Sequence, residues 1–144
     1  MTLLVTGAMG HVGLEIVRQA ARQGVRVVAT YRETFRAADA EAAGSGIIWV
    51  SCDLTDADEV LRTAEAHGVD ACIHAAAVSN EAYARPAPRK AIAANIGATA
   101  NLLETARAQG WRRFVLIGTG SVFQLLTDPS RPIMEDQPPA VASV

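Results

Sequence analysis

"LLVTGAMGHVGLEIV", residues 3–17, is the stretch whose reading decides the fold. An apolar run leads into Gly7, Gly10 and Gly13, spaced three apart, and a helical pattern follows over residues 11–23. Val12, Ile16, Val17 and Ala20 are expected on its inward face. The three glycines answer three physical needs. One makes a tight strand-to-helix turn, one lets backbone approach a diphosphate, and one lets the helix pack closely on the strand. The unsatisfied amides at the helix start would then face the phosphates, with the helix dipole behind them. Spaced glycines alone are weak evidence, because turns collect glycine for structural reasons. Their place between a buried strand and an amphipathic helix is what points to a cofactor.

Outward from this turn, short apolar runs alternate with helical patterns. Strands are expected at residues 2–6, 25–30, 47–51, 70–74 and 112–118. Amphipathic helices are expected at 56–67, with Val60, Leu61 and Ala64 inward, and at 88–109, with a stripe of Ile92, Ile96, Thr99, Leu102, Leu103 and Ala106. The alanine-rich connection between the second and third strands has room for a short helix. Apolar runs without alternation indicate strands buried on both faces. Strand–helix alternation then implies right-handed crossovers and a parallel sheet covered by helices. The expected fold is an α/β, Rossmann-like doubly wound sheet in the order 3-2-1-4-5, incomplete at the carboxyl end. Residues 1–126 would be the nucleotide-binding domain, in part, and 127–144 a proline-rich loop.

Composition narrows the partners. The 144 residues carry a formal charge of -2, which offers nothing to attract nucleic acid or an anionic membrane. The longest uncharged apolar stretch, residues 114–126, is too short to span a bilayer. No basic region precedes the first strand, so no signal peptide is expected and the cytoplasm is the expected compartment. Cys52 and Cys72 are read as small core residues in a reducing environment, and no metal site is expected.

At this point the chain resembles a family. "TGAMGHVG" is similar to the Thr-Gly-x-x-Gly-x-x-Gly signature of the extended short-chain dehydrogenase/reductases, the NAD(P)-dependent epimerase/dehydratase group. The resemblance continues in order through "CDLTD", "DACIHAAA", "NIGATANLLETA" and "RFVLIGTGSVF". It implies that Gly7, Met9, Gly10, His11, Val12 and Gly13 contact the cofactor, His11 as an exposed helix-start residue rather than a base. Tyr31 stands where NAD-preferring relatives carry an aspartate, and Arg32 follows it. A guanidinium pairs with a 2′-phosphate that a carboxylate would repel, so the cofactor is expected to be NADP in preference to NAD. The competing reading makes Arg32 a solvated loop cation and gives the ribose to Glu33.

The same resemblance implies that Asp53 and Leu54 meet the adenine, although Asp53 could instead belong to a helix cap, for which Thr55 or Asp56 already suits. Ala75, Ala76 and Ala77 match a small-residue run that lets backbone lie against the cofactor; core packing is the alternative for any one of them. His74 is read as buried and hydrogen-bonded. Asn95 would help order the active site, with Asn101 a plainer polar residue. Thr119 would hold the substrate's reacting oxygen as the catalytic hydroxyl, with Ser121 in reserve. Gly118 and Phe123-Gln124 depart from the family's pattern, which blurs the substrate.

Hydride chemistry at a carbinol carbon also needs a proton-transfer group. The family uses a tyrosine with a lysine four residues later. Here Tyr31 is followed by Phe35 and Tyr83 by Ala87, and Lys90 is the only lysine. The stretch "EDQPPAVASV" resembles the lead-in to that tyrosine, so the chain is expected to break off just before its catalytic helix. The resemblance implies an oxidoreductase or isomerase of epimerase, dehydratase or reductase type, acting on a sugar nucleotide or another carbonyl or secondary-alcohol substrate. A homodimer is expected for the complete protein. A sensor that binds NAD(P) without turnover is the alternative.

Overall fold

The computed structural model describes residues 1–123, 130 and 132–140. The expected boundary between residues 126 and 127 lies outside them, as does Gln124. Five parallel strands, β1 (Thr2–Thr6), β2 (Arg26–Tyr31), β3 (Ile47–Ser51), β4 (Ala71–His74) and β5 (Arg113–Leu116), form one sheet in the order β3-β2-β1-β4-β5. This is the Rossmann-like order expected. Leu3 registers with Val27 on one side and Ala71 on the other, so β1 is the centre of the sheet.

Alternate residues of each central strand feed two cores. Leu3, Val5, Val27 and Ala29 pack with Leu14 and Val17 of α1 (His11–Arg22) and Ala43 of α2 (Ala37–Ala43). Leu4, Val28 and Cys72 pack on the other side with Val60 and Ala64 of α3 (Ala57–His67) and with Leu102. Both faces of β1 are thus buried, as an all-apolar run requires. The outer strands differ from expectation. β3 is half-buried and β5 is mostly exposed. An edge strand has a neighbour on one side only, and its apolar composition does not reveal that.

Two helical expectations change. Val12 is half-exposed, and Leu14 fills the core position instead. The segment 88–109 is α5 (Pro88–Ile92), a π-helical turn (Ala93–Gly97) and α6 (Ala98–Gln109), preceded by the single turn α4 (Glu81–Ala84). Its buried residues are Ala91, Ala98, Leu102 and Thr105, whereas Ile92, Ile96 and Leu103 face outward. Leu102 packs with Leu4 and Cys72 of the sheet, and the bulkier Ile92 and Ile96 lie on another face. Among the described residues no helix is long and apolar enough to cross a membrane.

Candidate functional site

The carboxyl ends of β1, β2, β3 and β4 open into a cleft of about 480 Å³. Gly7, Met9 and Gly10 line one part of it, Tyr31 and Arg32 another, and Asp53, Leu54, Ala75, Ala76 and Ala77 the rest. The glycine turn is built as its spacing suggests. Gly7 has φ +62°, and a Cβ there would stand 2.8 Å from the backbone N and Cα of Ala76. A Cβ on Gly13 would stand 2.2 Å from the Gly7 carbonyl oxygen. Gly7 therefore allows the approach of β4's loop, and Gly13 the approach of helix to turn. The amide of Gly10 donates to the Gly7 carbonyl at 2.8 Å, which closes the turn.

No side chain caps α1, whose N-cap is Gly10, and its first turn holds no acidic residue. Its leading amides form the partly positive end of a twelve-residue helix, an arrangement suited to an anion. His11 and Val12 sit on the exposed first turn and Gly13 is buried; none of the three lines the cleft.

At the end of β2, Tyr31 stacks against Phe35 with ring centroids 4.9 Å apart, and Phe35 meets Trp49 edge-on. Arg32 is exposed and pairs with Glu33 at 3.2 Å. A surface pair of that kind is worth little and yields readily to a stronger anion. The sequence reading missed Arg36, which lines the cleft, donates to the Met9 carbonyl and pairs with Asp39. Its contact spans 27 positions, and no local pattern announces it.

Asp53 lies beyond β3, where its Oδ1 accepts from the Thr55 amide at 2.9 Å and the Thr55 hydroxyl at 2.8 Å. Those two bonds, helped by the charge of Arg32, hold its carboxyl below the usual carboxylate range. The cap of α3 is Asp56, which accepts from the amides of Asp58 and Glu59. Asp53 is thereby left out of the cap. Asn101, read as a plain polar residue, donates to the Leu54 carbonyl at 2.9 Å and so ties α6 to this corner. Cys52 is also in the lining, and burial pushes its thiol up, with nearby carboxylates adding to the effect.

Asn95 falls in the π turn and is exposed, and Ala94 and Ala98 line the cleft beside it. Its amide is spent on one residue: Oδ1 accepts from the Val78 amide at 2.7 Å and Nδ2 donates to the Val78 carbonyl at 3.1 Å. Thr119 is exposed beyond β5, outside the cleft lining, and its hydroxyl oxygen accepts from the Ser121 amide at 3.1 Å. His74 is 1 % exposed and bonded through both ring nitrogens, to Thr6 and Thr99.

A parallel sheet whose central strand turns through glycine into a helix, with a cleft at the strands' carboxyl edge, defines a Rossmann-like α/β domain. The sequence profile of the NAD dependent epimerase/dehydratase family matches residues 3–143, and the chain belongs to that family. Its structure superposes on UDP-glucose 4-epimerase of Thermus thermophilus, solved in complex with NAD, with TM-score 0.86 and 25% identity over 98% of this chain and 45% of that one. The Thermotoga maritima UDP-glucose 4-epimerase, solved with UDP-glucose, shares the fold at TM-score 0.86 and 21% identity, over 99% of this chain and 45% of its own. L-threonine dehydrogenase of Clostridium difficile matches with TM-score 0.74 and 25% identity over 85% of this chain and 37% of that one. An uncharacterized membrane protein of Methanocaldococcus jannaschii is 30% identical over 121 residues, 82% of this chain and 36% of its own length. The chain thus spans less than half the length of these relatives.

Proposed function

We propose that residues 1–126 are the dinucleotide-binding portion of an NAD(P)-dependent oxidoreductase or isomerase, with residues 127–144 leading toward its catalytic helix. The whole protein would act by hydride transfer on a sugar nucleotide or another carbonyl or secondary-alcohol substrate. The observation that carries this reading is the cleft. It joins an uncapped helix start behind Gly7 and Gly10 to the carboxylate of Asp53, with Ala75, Ala76 and Ala77 along its wall. The epimerase solved with NAD at 25% identity supports the same cofactor class.

In this reading the α1 amides and the glycine turn hold the diphosphate. Asp53, ionised at neutral pH, accepts from the adenine amine, and the Leu54 amide donates to the ring. Tyr31 and Arg32 face the ribose, and Arg32 exchanges Glu33 for a 2′-phosphate, which favours NADP over NAD. Met9, His11, Val12 and Gly13 complete the turn. When bound, the nicotinamide supplies or takes up the hydride. Thr119 keeps a proton to donate to the substrate's reacting oxygen, because its bond from Ser121 uses only a lone pair. Asn95 orders the site through Val78. A cytoplasmic homodimer acting on a small molecule, without nucleic acid or membrane as partner, completes the proposal.

Arg32→Ala in the full-length protein tests the cofactor assignment. Loss of a charge-assisted bond to phosphate should weaken NADPH by about tenfold or more and leave NADH within about twofold. Fluorescence titration of both cofactors measures it, and equal losses would refute the NADP preference.

A further inference from the structure

The wall of the cleft formed by residues 75–78 is anchored at both ends by side chains from other elements. The amides of Ala75 and Ala76 donate to Thr6 Oγ1 at 3.1 and 3.2 Å. Asn95 grips Val78 through both halves of its amide. Thr6 ends β1 and Asn95 lies in the π turn, so the two anchors are independent unless something joins them. His74 does. Its Nδ1 lies 2.6 Å from Thr6 Oγ1 and its Nε2 lies 3.1 Å from Thr99 Oγ1. Thr99 in turn donates to the Asn95 carbonyl at 2.7 Å.

The direction of each bond follows from counting protons. Thr99 has one hydroxyl proton and gives it to Asn95, so His74 Nε2 must be the donor to Thr99. A neutral ring protonated there leaves Nδ1 bare to accept the single proton of Thr6. The lone pairs of Thr6 are then available to the amides of Ala75 and Ala76. A doubly protonated ring would set a donor against an oxygen that already accepts two amides, and Thr6 would lose the acceptor for its own proton.

We infer that His74 is a positioning residue. As the neutral Nε2–H tautomer it completes a chain of hydrogen bonds from Ala76 through Thr6, Thr99 and Asn95 to Val78, closed into a ring by the backbone of residues 76–78, which sets the cleft wall against the dinucleotide. The importance of that wall for binding rests on the function proposed above; the ring itself does not. The groups around the imidazole are uncharged. Thr6 of β1 and Thr99 of α6 bond it, and the Phe114 ring of β5 lies 6.3 Å away. Cys72, two residues back on β4, is a neutral thiol pushed up to about 12 by burial. Burial likewise lowers the His74 pKa from its ordinary value, in keeping with a neutral ring.

The test is imidazole ¹⁵N NMR on the full-length protein, with amide exchange and cofactor titration of Thr99→Val and Thr99→Ser. The wild type should show His74 as a single Nε2–H tautomer, neutral at about pH 7. Thr99→Val keeps the side-chain shape and removes the hydroxyl. It should mix the tautomers, speed Val78 amide exchange about tenfold and raise the cofactor dissociation constant about fivefold, with Thr99→Ser restoring all three. An Nδ1–H tautomer, a ring charged at pH 7, or a Thr99→Val protein with unchanged tautomer and exchange would each overturn the inference. Should the wild type bind neither NADH nor NADPH, the cofactor reading falls, while tautomer and exchange still judge the ring. If Thr99→Val fails to fold, the wild-type tautomer decides alone.

Discussion

Gly7 carries two burdens that a single added methyl would expose. Its positive φ costs any other residue roughly 1–2 kcal/mol, and its would-be Cβ meets the backbone of Ala76 rather than a side chain that can swing aside. Gly7→Ala should therefore lose stability beyond the conformational cost and also push the 75–78 wall outward, abolishing dinucleotide binding. Gly24 is the control: it has φ +72° and nothing within 4 Å of a built Cβ. Gly24→Ala should cost only about 1–2 kcal/mol and leave binding intact. Thermal melts and cofactor titration of the two variants separate the effects, and matching behaviour would contradict the close-packing account. At this scale the sequence was informative where sterics are local. Gly7, Gly10 and Gly13 were legible as a turn because a positive φ at Gly7 and close backbone approach at Gly13 are demands that residue type records. Arg36 was not, because its reach to Met9 depends on how β2 and the glycine turn lie side by side.

At the scale of elements, α3 shows a cap that residue types announce. Asp56 accepts from the amides of Asp58 and Glu59, both at 3.0 Å, and Glu59 stands three residues on. Asp56→Ala should cost about 1 kcal/mol, seen as a lower melting temperature. Cofactor affinity should hold, since Asp53 keeps its own bonds to Thr55. A matching loss of affinity would show that cap and adenine corner are one unit. The segment 88–109 is the contrasting case. Its apolar residues fit more than one helical face, and periodicity selected the one with Ile92 and Ile96. Leu102 of that stripe is buried as expected, but Ala91, Ala98 and Thr105 are buried with it while Ile92, Ile96 and Leu103 are exposed, since a closely packed helix contact favours small residues. The π turn that carries Asn95 was likewise invisible: its residues, "AANIG", have no composition that distinguishes them from ordinary helix.

Across the whole molecule, several large apolar side chains of β5 and of the helical segment before it reach solvent. Ile96 is 66% exposed and Leu116 55%, and Ile92, Leu103, Val115 and Ile117 are also exposed. Apolar surface of this kind on a terminal strand and the helix before it favours association. The isolated polypeptide of residues 1–144 should therefore self-associate at micromolar concentration, as measured by analytical ultracentrifugation. A monodisperse monomer would show that this surface is tolerated in water.

The sequence by itself determined the order of strands and helices, the parallel sheet and the place of the glycine turn. Each follows from hydrophobic period, chain connectivity or a steric need confined to a few neighbouring residues. Only the tertiary structure decided which face of residues 88–109 is buried, that Asn95 spends its amide on Val78, and that His74 joins Thr6 to Thr99. The partners in those contacts are 17, 25 and 68 positions apart. Such pairings arise when β1, β4 and the long helix pack together, and local spacing holds no record of them.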